Sequence, residues 1–168
     1  GTLRAHQCTC LIRSPQLLEQ RRSEGRTEQP AAVVVSRSPD FSSAWRFFNQ
    51  PLQRWLLAPE PVDQGFDRWF PLASTWPDRL KALGAAGIQR LVLLGGAQLS
   101  ADLLQADCVD ALQLTLVPQL LGGRFSWLPC TDVPLPAALA QPGAWQSDGA
   151  EDLGDGEWLV RYRRIRSG

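Results

Sequence analysis

The sequence predicts an α/β fold: a mixed, mostly parallel sheet flanked by helices and finished by a C-terminal antiparallel hairpin. Three observations carry this expectation. Residues 91–94, Leu-Val-Leu-Leu, form a continuous apolar run, the pattern of a strand buried on both faces in a parallel or mixed sheet. Residues 97–105 follow at once with Ala97, Ala101 and Leu104 at helical spacing. Residues 145–150 and 157–165, joined through Leu153-Gly-Asp-Gly156, read as two strands around a Gly-rich turn.

The remaining elements follow in chain order. Residues 11–28, rich in Arg and Glu, read as a loop or short helix. Residues 30–37 predict a strand centred on Val33, Val34 and Val35, closed by the polar Ser36-Arg37-Ser38 and then Pro39. Between residues 41 and 70 the chain carries Trp45, Phe47, Phe48, Trp55, Phe66, Trp69 and Phe70. Without a basic groove beside them, such aromatics read as core and interface packing rather than a base-stacking platform. Residues 54–58, Arg-Trp-Leu-Leu-Ala, predict a short buried strand. Residues 76–83 predict a helix, with Pro77 in its first turn and Gly84 or Gly87 beyond its end. Leu112, Leu114 and Leu116 alternate in a strand that Pro118 ends. In the last strand Trp158, Val160 and Tyr162 share a face.

Bulk properties exclude several function classes. The 168 residues hold 17 Lys+Arg and 17 Asp+Glu, so no global field draws the chain to nucleic acid or an anionic membrane. No apolar stretch reaches the roughly 18 residues of a membrane span. Cys8, Cys10, Cys108 and Cys130, with the single His6, do not make a zinc pattern. They read as buried or partly buried free thiols of a cytoplasmic protein. The run Arg161, Arg163, Arg164 and Arg166 reads as a solvated strand edge.

The strongest chemical signal is Gly95-Gly96 between the predicted strand and helix. Glycines let a phosphate approach the backbone, and the first amides and the positive end of the helix face it. The plain alternative is a strand-turn-helix corner. The phosphate reading places a cofactor diphosphate on Gly95, Gly96, Ala97 and Gln98, with Leu99 and Ser100 extending the wall.

The order of these segments resembles the reductase domain of the bifunctional deaminase–reductase of riboflavin synthesis, which has a dihydrofolate-reductase-like fold. The residues that carry it are Gly95-Gly96-Ala97, Leu103-Leu104, Val109-Asp110-Ala111-Leu112 and Pro118-Gln119-Leu120-Leu121-Gly122, with Trp127-Leu-Pro129 beyond. At the start, Gly1-Thr2-Leu3-Arg4-Ala5-His6 and Arg13 resemble that family's Gly-Thr-Val-Arg-Ala-Asp segment and its downstream Arg. The resemblance implies that Thr2 touches NADPH and Arg13 the substrate phosphate. It also suggests that Ser36 and Arg37, at the carboxyl end of a strand where open α/β sheets bind ligands, meet the ribose 2′-phosphate. The implied reaction is NADPH-dependent reduction of 5-amino-6-(5-phosphoribosylamino)uracil to its ribitylamino product, by a homodimer acting on a phosphorylated small molecule. Two residues depart from the pattern: His6 and Leu94 stand where the family has acids. His6 is a candidate proton donor, because imidazole changes charge near neutral pH; Leu94 offers no chemistry. These changes keep open a reductase of another pterin- or pyrimidine-like substrate, or a catalytically silent nucleotide-binding relative.

The resemblance also implies a strand, a helix and a second strand before residue 1, about forty residues by the usual size of such units. Residues 1–168 are therefore expected to be one reductase-like domain lacking its first strand-helix-strand. The runs 33–35, 91–94 and 112–116 are then expected as inner strands short of partners.

Overall fold

The computed structural model describes residues 2–38, 40–62, 65–72, 74–94, 96–120, 127–128 and 134–166. The chain divides into two compact units, Gly1–Leu91 and Val92–Gly168.

The first unit is built on a parallel sheet of β1 (Ala32–Val35), β2 (Arg54–Ala58) and β3 (Arg68–Pro71), in the order β1-β2-β3. The central β2 is buried on both faces, as its unbroken Trp-Leu-Leu-Ala run requires. Leu56 and Ala58 point to one side, where Phe41 joins them and Leu3, Val34, Trp45, Phe48 and Phe66 pack around them. Trp55 and Leu57 point to the other, against Leu83 of α3 (Trp76–Ala85) and the partly buried Val33, Val35, Phe70 and Leu80. Leu56 and Leu57 are fully buried, each worth about 1.5–3 kcal/mol of transfer energy. Most of the aromatic segment packs in the core, with Trp69 exposed: Phe41, Phe47, Phe48 and Phe66 meet mostly edge-on, with centroids 5.2–6.2 Å apart. Two helices precede the sheet, α1 (Thr2–His6) and α2 (Pro15–Ser23); Ser14 caps α2 and Thr75 caps α3. Helix α3 runs through Gly84 and ends before Gly87.

The second unit holds α4 (Ala97–Gln105), with the bounds the spacing predicts, and a short α5 (Ala137–Ala140). Its sheet is antiparallel, in the order β4-β6-β5, from β4 (Ala111–Leu116), β5 (Trp145–Gly154) and β6 (Glu157–Arg164). The hairpin turns at Asp155-Gly156, both at positive φ, so β5 runs four residues further than its sequence pattern suggests. Trp158, Val160 and Tyr162 share a face and lie opposite Leu116, Leu114 and Leu112.

Several expectations are corrected. Residues 91–94 form no strand: they have no regular structure, and Leu91, Val92, Leu93 and Leu94 are exposed. An apolar run becomes a strand only where a neighbour completes its hydrogen-bond ladder, and none does so among the described residues. The runs 33–35 and 112–116 do form strands, β1 and β4, each paired on one side only among the described residues, whereas β2 and β6 are paired on both sides. Because β6 is paired on both sides, its arginines are not an edge decoration. Arg161 and Arg163 reach across to Glu151 and Asp148 of β5. Arg164 is buried, with its Nε and Nη2 3.0 and 3.2 Å from the two carboxylate oxygens of Asp107. β3 and α1 have no counterpart among the elements that the sequence predicts. The Leu121-Gly122 end of the Pro-Gln-Leu-Leu-Gly match, Pro129 and Cys130 lie outside the described residues.

Candidate functional site

In the first unit the candidate residues gather around the exit of β1. Ser36 continues β1 through its amide, which donates to Leu57 O at 3.0 Å. Its hydroxyl donates to Ser38 O at 2.6 Å and accepts from the Ser38 amide at 3.3 Å, turning the chain sharply there. Arg37 projects from that turn, exposed and without an ion pair among the described residues. Helix α1, which carries Thr2 at its first position, is tied to this loop by Arg4. Its guanidinium donates to the Ser38 carbonyl at 3.2 Å and the Asp40 carbonyl at 2.5 Å, and lies over the Phe41 ring. The structure thus brings the Thr2 helix and the Ser36-Arg37 turn to one edge, the carboxyl end of β1. His6, the last residue of α1, is exposed.

Arg13 is held elsewhere. The segment between α1 and α2 is gripped by two glutamines, each bonding both the N–H and the C=O of one residue. Gln50 holds Thr9 at 2.9 and 2.8 Å, and Gln29 holds Ile12 at 2.9 and 3.0 Å. Gln29 and Gln50 precede β1 and β2, so the backbone beside the exposed Arg13 is anchored at the amino end of the sheet. A hollow of about 240 Å³ lies at that end, lined by Gln29, Gln53, Glu28 and Asp67 among others. Its two carboxylates do not suit an anion.

In the second unit the glycine-led helix start is as the sequence suggests. Gly96 takes φ 99°, ψ 91° and caps α4 with no side-chain hydrogen bond. That conformation is open to glycine and strained for other residues. Its carbonyl accepts from the Ser100 amide at 2.9 Å, which closes the first turn. The amides of Ala97, Gln98 and Leu99 belong to the helix's unsatisfied first turn, so the donor set fits an anionic diphosphate. Gln98 is exposed and spends its amide group on Asp102 at 3.0 Å, while Leu99 and Ser100 are half-buried. Gly95 lies outside the described residues.

No group of three or more metal-ligating side chains occurs among the described residues. Cys8, Cys10 and Cys108 are free. Cys10 is exposed rather than buried, and burial pushes the Cys108 thiol up, which disfavours the thiolate. No helix among the described residues is long and apolar enough to cross a membrane. Arg4 has no role in the sequence reading, and its only signal there is its place inside the Gly-Thr-Leu-Arg-Ala segment.

Comparison with known proteins bears on the family and the fold. The profile of the RibD C-terminal domain matches residues 4–155. The riboflavin biosynthesis protein RibD of Haemophilus influenzae is 29% identical over 133 residues, covering 76% of this chain and 35% of that protein. The 2,5-diamino-6-ribosylamino-4(3H)-pyrimidinone 5′-phosphate reductase of Archaeoglobus fulgidus is 26% identical over 140 residues, covering 77% of this chain and 64% of that protein. The chain thus spans between about a third and two thirds of the length of these relatives. Among solved structures, a pyrimidine reductase-like protein from Corynebacterium diphtheriae superposes with a TM-score of 0.79 at 19% identity, over 99% of this chain and 73% of that one. Acinetobacter baumannii RibD gives 0.75 at 21% identity, over 98% and 45%. The mixed α/β fold is the one these structures share.

Proposed function

The chain belongs to the RibD C-terminal domain family, and on that premise we propose that it is an NADPH-dependent reductase of a phosphorylated ribosylaminopyrimidine in riboflavin synthesis. The observation that carries the reading is the family match over residues 4–155 together with a glycine-led α4 inside it whose first turn has no side-chain cap. In this reading the substrate is 5-amino-6-(5-phosphoribosylamino)uracil. The name of the Archaeoglobus relative favours one alternative, the corresponding diaminopyrimidinone phosphate.

The protein's part is binding and orientation. When bound, the dihydronicotinamide supplies a hydride for the sugar carbon of the opened ribosylamino group. The amides of Gly96, Ala97 and Gln98 receive the cofactor diphosphate, with Leu99 and Ser100 extending that wall. Ser36 and Arg37 take the ribose 2′-phosphate, Arg37 through the fork that suits a phosphate. Thr2 lies against the cofactor, and Arg13 takes the substrate phosphate. A proton must reach the reduced sugar; His6, exposed at the end of α1, is the chain's candidate donor. The apolar face of β4 and β6, where Leu116 and Trp158 are exposed, supports a homodimer, which light scattering on the purified protein measures directly.

The test is turnover. Purified protein is mixed with NADPH and each of the two pyrimidine phosphates in turn, and loss of the reduced-nicotinamide absorbance is followed with the ribitylamino product. Oxidation of NADPH with the uracil compound alone supports the proposed substrate. Oxidation with the diaminopyrimidinone alone shifts the enzyme one deamination earlier, and saturable NADPH binding without oxidation would make it the silent relative.

A further inference from the structure

Arg4 makes an unusual set of contacts for a side chain that is one-third exposed. Its Nη2 donates to the Ser38 carbonyl and its Nη1 to both the carbonyl and the carboxylate of Asp40, while the guanidinium plane rests on the buried Phe41. The Ser38 carbonyl also accepts the Ser36 hydroxyl. Both of its lone pairs are therefore occupied, and the backbone on either side of Arg37 is fixed from α1 and from within the turn. Arg37 itself is the opposite case: its backbone is held, its guanidinium exposed and without an ion pair among the described residues. A fixed backbone carrying an unspent fork is what a phosphate-binding arginine needs, because less freedom is lost when the ligand arrives.

We propose that Arg4 is a positioning residue for cofactor selectivity. By gripping the Ser38 and Asp40 carbonyls it presents Ser36 and Arg37 to the phosphate that distinguishes a 2′-phosphorylated nicotinamide dinucleotide from the unphosphorylated one. Arg4 does not meet that phosphate, since both of its terminal nitrogens are engaged with the loop. The inference rests on the reading that Ser36 and Arg37 form the 2′-phosphate site, and goes beyond it by placing part of the selectivity in a residue that touches no cofactor.

The test is titration of the intact chain with NADPH and with NADH, following nicotinamide fluorescence. Arg4→Met keeps an apolar stem over Phe41 and removes the fork. It should raise the dissociation constant for NADPH about tenfold, the order of one lost well-formed hydrogen bond, and leave that for NADH within about twofold. Arg4→Lys keeps the charge but cannot span two carbonyls, so it should resemble Arg4→Met; it also serves if the Met variant folds poorly by circular dichroism. In an Arg37→Ala background, Arg4→Met should change neither constant by more than about twofold, because the loop would have no phosphate contact left to position. A parent that does not prefer NADPH, or binds neither dinucleotide, overturns the 2′-phosphate reading and this inference together. A parent whose preference is lost in Arg37→Ala but kept in Arg4→Met and Arg4→Lys overturns the inference alone. So do equal losses for both cofactors, or effects of Arg4 and Arg37 that simply add.

Discussion

Replacing Arg164 by Met tests how the second unit is held together. The side chain is 5% exposed, and it reaches the two oxygens of Asp107 at 3.0 and 3.2 Å, Ala144 O at 3.0 Å and Ile165 O at 2.6 Å. It thereby joins the end of β6 to the start of β5 and to the α4–β4 link, 20 and 57 residues away along the chain. Hydrogen bonds to charged groups contribute roughly 1.5–3 kcal/mol each, and breaking a fully buried pair costs about 3–5 kcal/mol. The Asp107 side chain is 33% exposed, so water and the nearby Arg166 re-solvate part of its charge. The net loss for Arg164→Met is then about 2–4 kcal/mol. With a urea m-value of about 2 kcal/mol/M, the middle of the usual range, the midpoint should fall by roughly 1–2 M.

The same pair predicts a pH dependence whose sign is fixed. The hydrogen bond from Arg164 is the largest influence on the Asp107 carboxyl and holds it below its ordinary range, against the opposing effect of burial. A carboxyl depressed in the folded state contributes stability that is complete above its unfolded value, near 3.9. That contribution is lost as the pH falls through the lower folded value. Acid should therefore destabilise the parent more steeply than Arg164→Met. Asp107→Asn should also flatten the acid limb while keeping the backbone, since Asn tolerates the φ of 48° found at this position. Urea midpoints measured by far-ultraviolet circular dichroism at neutral pH and near pH 3 decide the matter. A neutral-pH midpoint within about 0.3 M of the parent at equal m, or acid limbs that superimpose, would refute the argument.

Three further outcomes are expected. Gly96→Val puts a branched side chain at φ 99° and should cost about 1–3 kcal/mol of stability as well as several kcal/mol of NADPH affinity; a titration matching the parent's sinks the diphosphate assignment. Arg13→Lys keeps the charge and loses the fork, so KM for the phosphorylated substrate should rise about tenfold or more while NADPH affinity stays put; losses for both ligands, or for neither, remove Arg13 from the substrate site. Val92 and Leu94 are 77% and 58% exposed, so Val92→Lys with Leu94→Lys should reduce aggregation by light scattering at unchanged melting temperature; a melting temperature lower by several degrees would mean that this run is paired in solution.

What could be read from the residues divides along a physical line. β2 and α4 were legible because their cause is local: four successive apolar residues need cover on two faces, and Ala97, Ala101 and Leu104 recur at the helical period. Gly96 was legible for the same reason, since a positive φ is a property of one residue and its neighbours. Residues 91–94 show the limit, because apolarity says that a segment tends to be buried, while a strand exists only where another supplies its ladder. Arg164 shows it from the other side. In sequence it is one of four arginines on a short run, and its partner Asp107 is 57 residues distant, so nothing in the spacing separates the buried arginine from its exposed neighbours. Arg4 is the same kind of residue in the first unit: its partners are the carbonyls of Ser38 and Asp40, and a carbonyl is present at every position of every sequence. Ligand contacts that depend on a residue's own chemistry, such as the phosphate contact proposed for Arg37, can therefore be nominated in advance. The residues that aim those contacts by gripping distant backbone emerge only once the chain is folded, and in this protein such positioning arginines are where the substitutions above should separate structure from selectivity.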